Sequence, residues 1–334
     1  MRLSLEHARR IVIGAAVITA ALFVLVVAIV LFAPRGTAAR TSPATPAPTP
    51  TASVEQTSAP IASPLVSAGG APLDAYAGLA TWVDIYDTPA WRDPAAAIAD
   101  MSRHGVKTLF VQTSHYNMRT AFYNAKALRE FIAEGHARGM RVVAWYLPNM
   151  KPGSVDYARV KAAVRLKTAD GQTFDSFALD IESSAIGSEA MRNRGLKQLS
   201  AKIRTLVGPT YPLGAIIPSP VGLRRPHSVW GNFPYSMLPR YYDIFVPMGY
   251  YTFHGRGAKS AYMDASQNLS ILRSQPGCSA VPVHLIGGIA EDSSTGQVQG
   301  FAQAVREGGC LGASLYGWAG TSSAAWRAMA SIAP

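Results

Sequence analysis

From Ala77 onward the chain predicts a single α/β domain, a (β/α)₈ barrel, and three observations carry that expectation. Short apolar runs alternate with amphipathic stretches to the end of the chain, the runs number eight, and glycines stand where helical patterns give way to strands. The predicted strands are Leu79–Ile85, Thr108–Thr113, Val142–Tyr146, Ser176–Ile181, Leu213–Ile217, Ile244–Met248, Val283–Gly287 and Ala313–Tyr316. Helical patterns between them cover Pro94–Arg103, Ala125–Arg138, Asp156–Leu166, Asn193–Val207, Tyr262–Arg273 and Thr295–Glu307. Asp93-Pro94 reads as a cap followed by proline at the first helical position, and His104-Gly105 and Arg138-Gly139 read as left-handed stops. Roughly 255 residues carrying eight βα units match a closed barrel, and no glycine-rich phosphate loop follows the first strand to favour an open sheet.

The amino-terminal part reads differently. Residues 11–33, Ile11 to Ala33, contain no charged side chain and are long enough to cross the hydrocarbon core of a bilayer, which is roughly 30 Å thick. Arg2, Arg9 and Arg10 precede this run, so residues 1–10 are expected in the cytoplasm and the rest of the chain outside it. The rival reading is a cleaved secretory signal ending near Thr37-Ala38-Ala39, and both readings export the domain. Residues 34–75 are rich in Pro, Ala, Thr and Ser and are expected to form a disordered tether, which leaves 76–334 as the barrel. The expected location is therefore the cell membrane, with one span and an extracytoplasmic domain.

The formal charge of +11 suits an anionic lipid or envelope polymer as neighbour. No basic run is interleaved with aromatics, so nucleic acid is not expected as a partner. Two cysteines, Cys278 and Cys310, fall just before strands seven and eight. In a barrel they belong at the feet of adjacent strands, and an exported domain favours a disulfide between them over two buried thiols. The histidines have no metal-ligand spacing: His115, His254 and His284 read as polar loop or core residues, and neither a metal nor an organic cofactor is expected.

Barrel chemistry sits at the carboxyl ends of the strands. Along the fourth strand Ser176, Ala178, Asp180 and Glu182 share one face while Phe177, Leu179 and Ile181 share the other. The apolar face must meet the helices, so the two acids are expected to face the barrel mouth. Carboxyls so placed repel each other and are poorly solvated, which raises at least one pKa and provides a general acid. Pairing with cations from nearby loops is the structural alternative.

Asp175-Ser176-Phe177-Ala178-Leu179-Asp180-Ile181-Glu182 resembles the fourth-strand motif Asp-Gly-x-Asp-x-Asp-x-Glu of family 18 glycoside hydrolases, the chitinase-like enzymes. The resemblance implies that Glu182 protonates the leaving oxygen and that Asp180 orients a substrate N-acetyl group. Met248-Gly249-Tyr250-Tyr251 is similar to the family's sixth-strand Met-x-Tyr-Asp, which implies that Tyr250 assists that group. Tyr316-Gly317-Trp318 resembles the eighth strand, where a tryptophan floors the sugar subsite, a role that falls on Trp318. The chain departs from the motifs at Ser176, Ala178 and Tyr251, which stand in place of Gly, Asp and Asp.

Further candidates come from the strand ends themselves. Glu291, after strand seven, is a second carboxylate that would act as a nucleophile if it faces Glu182. Trp82, Asp84, Gln112, Trp145, Tyr250, Tyr251 and Trp318 are expected to form an aromatic and polar sugar site, because aromatic faces stack on the apolar faces of sugar rings. The expected function is hydrolysis of an envelope or extracellular polysaccharide. The runner-up is a glycan-binding barrel that has lost part of its catalytic set, and a metal-dependent deacetylase lacks the paired histidines it would need.

Overall fold

The structure, a computed structural model, describes residues 66–67 and 69–332. The predicted cytoplasmic segment, membrane span and most of the tether lie outside the described residues. Among the described residues no helix is long and apolar enough to cross a membrane.

Eight parallel strands close into a barrel in sequence order: β1 Gly78–Val83, β2 Thr108–His115, β3 Arg141–Leu147, β4 Ser176–Asp180, β5 Leu213–Pro218, β6 Ile244–Met248, β7 His284–Ile289 and β8 Gly312–Tyr316. Closure is made by β1 against β8, with Gly78 opposite Gly312 and Ala80 opposite Ser314. Every strand was legible from its apolar run, and the bounds move by one or two residues only. Helices Pro94–Arg103 and Thr295–Glu307 have the bounds their periodicity predicts, and each carries a side-chain cap. The Asp93 carboxylate accepts from Ala96 N at 2.9 Å, and Ser294 and Gln297 form a reciprocal capping box. Gly105 and Gly139 take positive φ, the left-handed stops that let each helix turn into the next strand. Between β5 and β6 a short helix, Pro220–Leu223, and a 3₁₀ turn, Tyr235–Arg240, replace a full barrel helix.

Alternation along the strands divides the apolar residues into two layers. Leu79, Val111, Val142, Phe177, Leu179, Leu213, Phe245, Leu285 and Ala313 pack outward against the helices. Ala80, Trp82, Phe110, Val143, Trp145, Ala178, Ile216, Val246, Met248 and Ile286 fill the barrel interior. The foot of that interior is plugged by Tyr76, whose hydroxyl lies 2.6 Å from Ser176 Oγ. Glycine is required around this plug: a Cβ at Gly214 would stand 2.6 Å from the Tyr76 hydroxyl, and one at Gly312 would stand 2.3 Å from Tyr76 O. Residues 66–67 and 69–75, assigned to the tether from sequence, instead join the barrel base. Ala71, Leu73 and Ala75 are buried there, and Val66 pairs with Pro72 in an isolated bridge.

The disulfide expected from sequence is absent, and both cysteines are free thiols. Cys278 is buried with its sulfur 3.7 Å from Tyr235 O, so it faces the β5–β6 connection rather than its neighbour strand. Cys310 packs partly buried at the end of the Thr295–Glu307 helix, its N–H bonded to Val305 O.

Candidate active site

The carboxyl end of the barrel holds a small cavity of about 50 Å³ lined by Trp82, Trp145, Asp180, Glu182, Ile216, Met248, Tyr250, Ile286 and Tyr316. Asp180 is the last residue of β4, and Ile181 N–H still bonds Ile216 O at 2.8 Å. The strand's alternation therefore runs past its end, which brings Glu182 to the same side as Asp180 while Ile181 enters the outer core. Asp180 is 4% exposed and its Oδ1 has no hydrogen-bond partner. Burial, then repulsion from Glu182, raises its pKa well above the ordinary carboxylate range. Glu182 reaches the rim and keeps contact with solvent, yet desolvation by the surrounding walls raises its pKa too. The residue below Asp180 on the inward face is Ala178, which has no polar atom to share a proton with it.

Aromatic side chains surround the acids. Trp82 stacks on Phe110 with ring centroids 4.2 Å apart and meets Trp145 edge-on at 5.9 Å. The Trp82 orientation is set from below by a polar chain through the barrel interior. Its Nε1–H donates to Ser314 Oγ at 2.8 Å, Ser314 Oγ lies 3.1 Å from His284 Nε2, and His284 Nδ1 lies 2.9 Å from Tyr76 O. Because Tyr76 O can only accept, His284 Nδ1 carries the proton and Nε2 accepts. Burial lowers the His284 pKa to about 4, so the ring is neutral. His284 is thus the core residue that sequence anticipates.

Trp145 lacks the partner that Trp82 has: its buried indole N–H is unpaired. The cavity therefore presents an orphan donor, Trp145 Nε1, and an orphan acceptor, Asp180 Oδ1, in a lining whose other members, apart from Glu182, are aromatic and aliphatic. Buried polar atoms without partners cost about 1–3 kcal/mol each, a cost that a ligand carrying both a donor and an acceptor relieves.

Tyr250 and Tyr316 close the opposite side, rings edge-to-face with centroids 6.2 Å apart. Tyr250 follows β6 in the left-handed region, φ 46° and ψ 52°, a conformation a bulky residue seldom takes, and this turns its ring into the mouth. Burial, then the negative charge of Glu182, Asp180 and Asp84, raises its phenol pKa and keeps the hydroxyl protonated. Tyr316 donates to Asp84 Oδ2 at 2.8 Å, so Asp84 supports the site from behind the tyrosine. Gln112 plays a similar part, its Oε1 accepting from Ile85 N at 3.0 Å to fix the loop after β1.

Three predicted residues lie elsewhere. Trp318 sits past the end of β8, in the 3₁₀ turn Trp318–Gly320, where it packs on the outer core and donates Nε1–H to Asp100 Oδ2 at 3.0 Å. Tyr316 is the β8 aromatic at the mouth, and the inward series Gly312, Ser314, Tyr316 was the signal that identifies it. Tyr251 is buried against Phe301 and donates to Ser293 Oγ at 3.0 Å. Glu291 is exposed with its backbone against Gly320, and it does not line the cavity. Among the described residues no cluster of His, Cys, Asp and Glu could hold a metal ion.

No protein-family profile matches the chain, and no curated protein sequence matches it significantly. Solved structures do. A class V chitinase from Pseudomonas fluorescens Pf-5 superposes with a TM-score of 0.54 at 12% identity, covering 76% of this chain and 99% of that one. A family 18 chitinase from Cycas revoluta in complex with (GlcNAc)₃ gives 0.53 at 13% identity, with coverages of 76% and 99%. The PgaB glycoside hydrolase domain from Bordetella bronchiseptica gives 0.53 at 14% identity, with coverages of 77% and 99%. At these identities the likeness establishes the fold alone: a TIM barrel of the kind these chitinases and the PgaB domain share.

Proposed function

We propose that this chain is a glycoside hydrolase that cleaves an N-acylated envelope or extracellular glycan, with Glu182 as general acid and Asp180 as its partner. The observation that carries the reading is the meeting of two carboxyls of raised pKa with an aromatic wall in one cavity at the carboxyl end of the barrel. A carboxyl protonated near neutrality can give its proton to the glycosidic oxygen as the bond breaks, and the conjugate base can then take a proton from the incoming water. The carboxyls lining the cavity are Asp180 and Glu182, with Glu291 outside it, so this arrangement favours attack by the substrate's own acyl oxygen over a protein nucleophile. Asp180 Oδ1 is free to accept the N–H of that acyl group, and the protonated Tyr250 hydroxyl and Trp145 N–H are donors for its oxygen. A location outside the cytoplasm is read from the apolar run Ile11–Ala33 and belongs to the same proposal.

The second reading, a glycan-binding barrel without turnover, is favoured by Ala178 and by the cavity of about 50 Å³. A typical small-ligand pocket is at least roughly 300 Å³, so the cavity is too small for a whole sugar ring as it stands. One experiment separates the two: the full chain and its Glu182→Gln variant are assayed on chitin-like and cell-wall glycans. Hydrolysis lost in the variant supports the enzyme. Binding without hydrolysis, equal in both proteins, supports the second reading, and neither binding nor hydrolysis removes both.

A further inference from the structure

A second concavity of the barrel lies on its outer wall rather than at its mouth. It is a groove of about 390 Å³ between the helix Glu189–Val207 and the 3₁₀ turn Tyr235–Arg240, lined by Asn193, Arg194, Lys197, Pro234, Ser236, Met237 and Arg240. Its three cations, Arg194, Lys197 and Arg240, are exposed, and none makes an ion pair or side-chain hydrogen bond among the described residues. No carboxylate lines the groove.

The walls are held rigidly. Trp230 Nε1 donates to Asn193 Oδ1 at 2.7 Å, and Asn193 Nδ2 donates to Asn232 O at 2.9 Å. Glu189, the nearby acid on the helix, is occupied by Gly231 N at 2.6 Å and Asn232 N at 3.1 Å. The fold thus gathers three like charges around a preformed hollow and spends the adjacent carboxylate elsewhere, an arrangement that costs repulsion and gains no packing. Guanidinium groups match carboxylate and phosphate oxygens in a planar fork, while Pro234 and Met237 offer an apolar floor to a sugar face.

We propose that this groove binds the charged groups of an anionic polysaccharide, holding the polymer on the barrel wall at a site separate from the mouth. Carboxylate and phosphate substituents share the required chemistry. The test uses the full chain carrying Glu182→Gln, so that its outcome does not depend on whether the mouth hydrolyses anything. Binding is measured to carboxymethyl dextran, phosphorylated dextran and uncharged dextran of equal length, at low and physiological salt. The expected result is binding to one or both charged polymers, weakened by salt, and none to uncharged dextran. Adding Arg194→Gln, Lys197→Gln and Arg240→Gln together should lower affinity by about tenfold or more. A control triple variant at exposed cations elsewhere, Lys126→Gln, Lys259→Gln and Arg327→Gln, should stay within about twofold, with melting curves confirming that both fold. The carboxymethyl and phosphorylated arms identify which substituent is preferred. Equal loss in both triple variants, an unchanged groove variant, equal binding to uncharged dextran, or no binding to any polymer would overturn the site.

Discussion

At the scale of single residues the mouth is dominated by one unfavourable burial. Asp180 is closed off with an unpaired oxygen beside Glu182, and desolvation, reinforced by that neighbour, raises its pKa. A carboxyl whose folded pKa is raised holds its proton in the folded state after the unfolded chain has lost it. Its contribution is therefore present at low pH and lost as pH climbs from the ordinary value of about 3.9 toward the folded one. Asp180→Asn removes that loss, so its melting temperature should exceed the parent's at pH 7, with the gain shrinking to nothing below about pH 4 in melts across a pH series. Where hydrolysis is measured, its pH profile should be bell-shaped, with limbs belonging to the coupled pair. Trp145→Phe tests the orphan donor. Phenylalanine removes the unpaired N–H together with the pyrrole part of the indole, so the void left behind offsets the relief and melting should be unchanged or slightly lowered, while glycan affinity falls by about 1 kcal/mol, or roughly fivefold, in a titration. An unchanged affinity would mean that the indole N–H meets no ligand.

Between elements, the fold is fastened by contacts that the strand pattern did not disclose. Asp175 opens the sequence motif but lies at the foot of β4. There its Oδ2 accepts from Val142 N and His136 Nε2, both at 2.8 Å, and its Oδ1 from Arg141 Nη1 at 3.1 Å. It ties β3, β4 and the helix Ala125–Ala137 together instead of serving the mouth. Burial pushes the Asp175 pKa up, but the hydrogen bonds from His136 and Val142 and the charges of His136 and Arg141 outweigh it and hold the group low. The same hydrogen bond raises the His136 pKa. A raised histidine contributes fully below its unfolded value of about 6.5 and is lost as pH rises through its folded value. The parent should lose stability over that interval and His136→Gln should not, as thermal melts from pH 6 to 9 would reveal. Helix contact imposes a second constraint. A Cβ at Gly300 would stand 2.0 Å from Ala258 O, so the helices Gly257–Arg273 and Thr295–Glu307 touch there through backbone alone. Gly300→Ala should cost about 1–3 kcal/mol in denaturant unfolding, the range for overpacking a close contact.

For the whole molecule, stability rests on a closed barrel with a two-layer core and no disulfide. Burial raises the thiol pKa to about 11 at Cys278 and about 12 at Cys310, so both should react slowly with alkylating reagents at neutral pH while the protein is folded. Unfolding without reductant should expose two thiols, and mass spectrometry after alkylation should count two modifications. A single bridged species would contradict the side-chain directions described above. The mouth and the basic groove also differ at this scale. The mouth is a narrow, aromatic cup over two acids, and the outer wall carries a wider hollow with three cations, so mutations can address the two sites separately.

What the sequence alone determined follows from local rules. Apolar runs of strand length, glycine stops and side-chain caps placed all eight strands and most helices, because backbone conformation and the need to bury alternating faces act over a few residues. The same alternation put Asp180 and Glu182 on the inward face of β4. Tertiary structure decided where the chain leaves that regularity. Trp318 follows Tyr316 by two positions, yet it lies beyond the strand in a 3₁₀ turn and bonds Asp100, while Tyr316 remains at the mouth. Tyr250 and Tyr251 are adjacent, and only the left-handed backbone at Tyr250 sends the first into the cavity and the second against Phe301. Cys278 and Cys310 each precede a strand in the sequence, yet both are free thiols and the Cys278 sulfur lies against Tyr235 O. Each of these outcomes depends on how a strand end turns and what packs beside it, information held by residues distant in the chain and brought together only when the barrel closes.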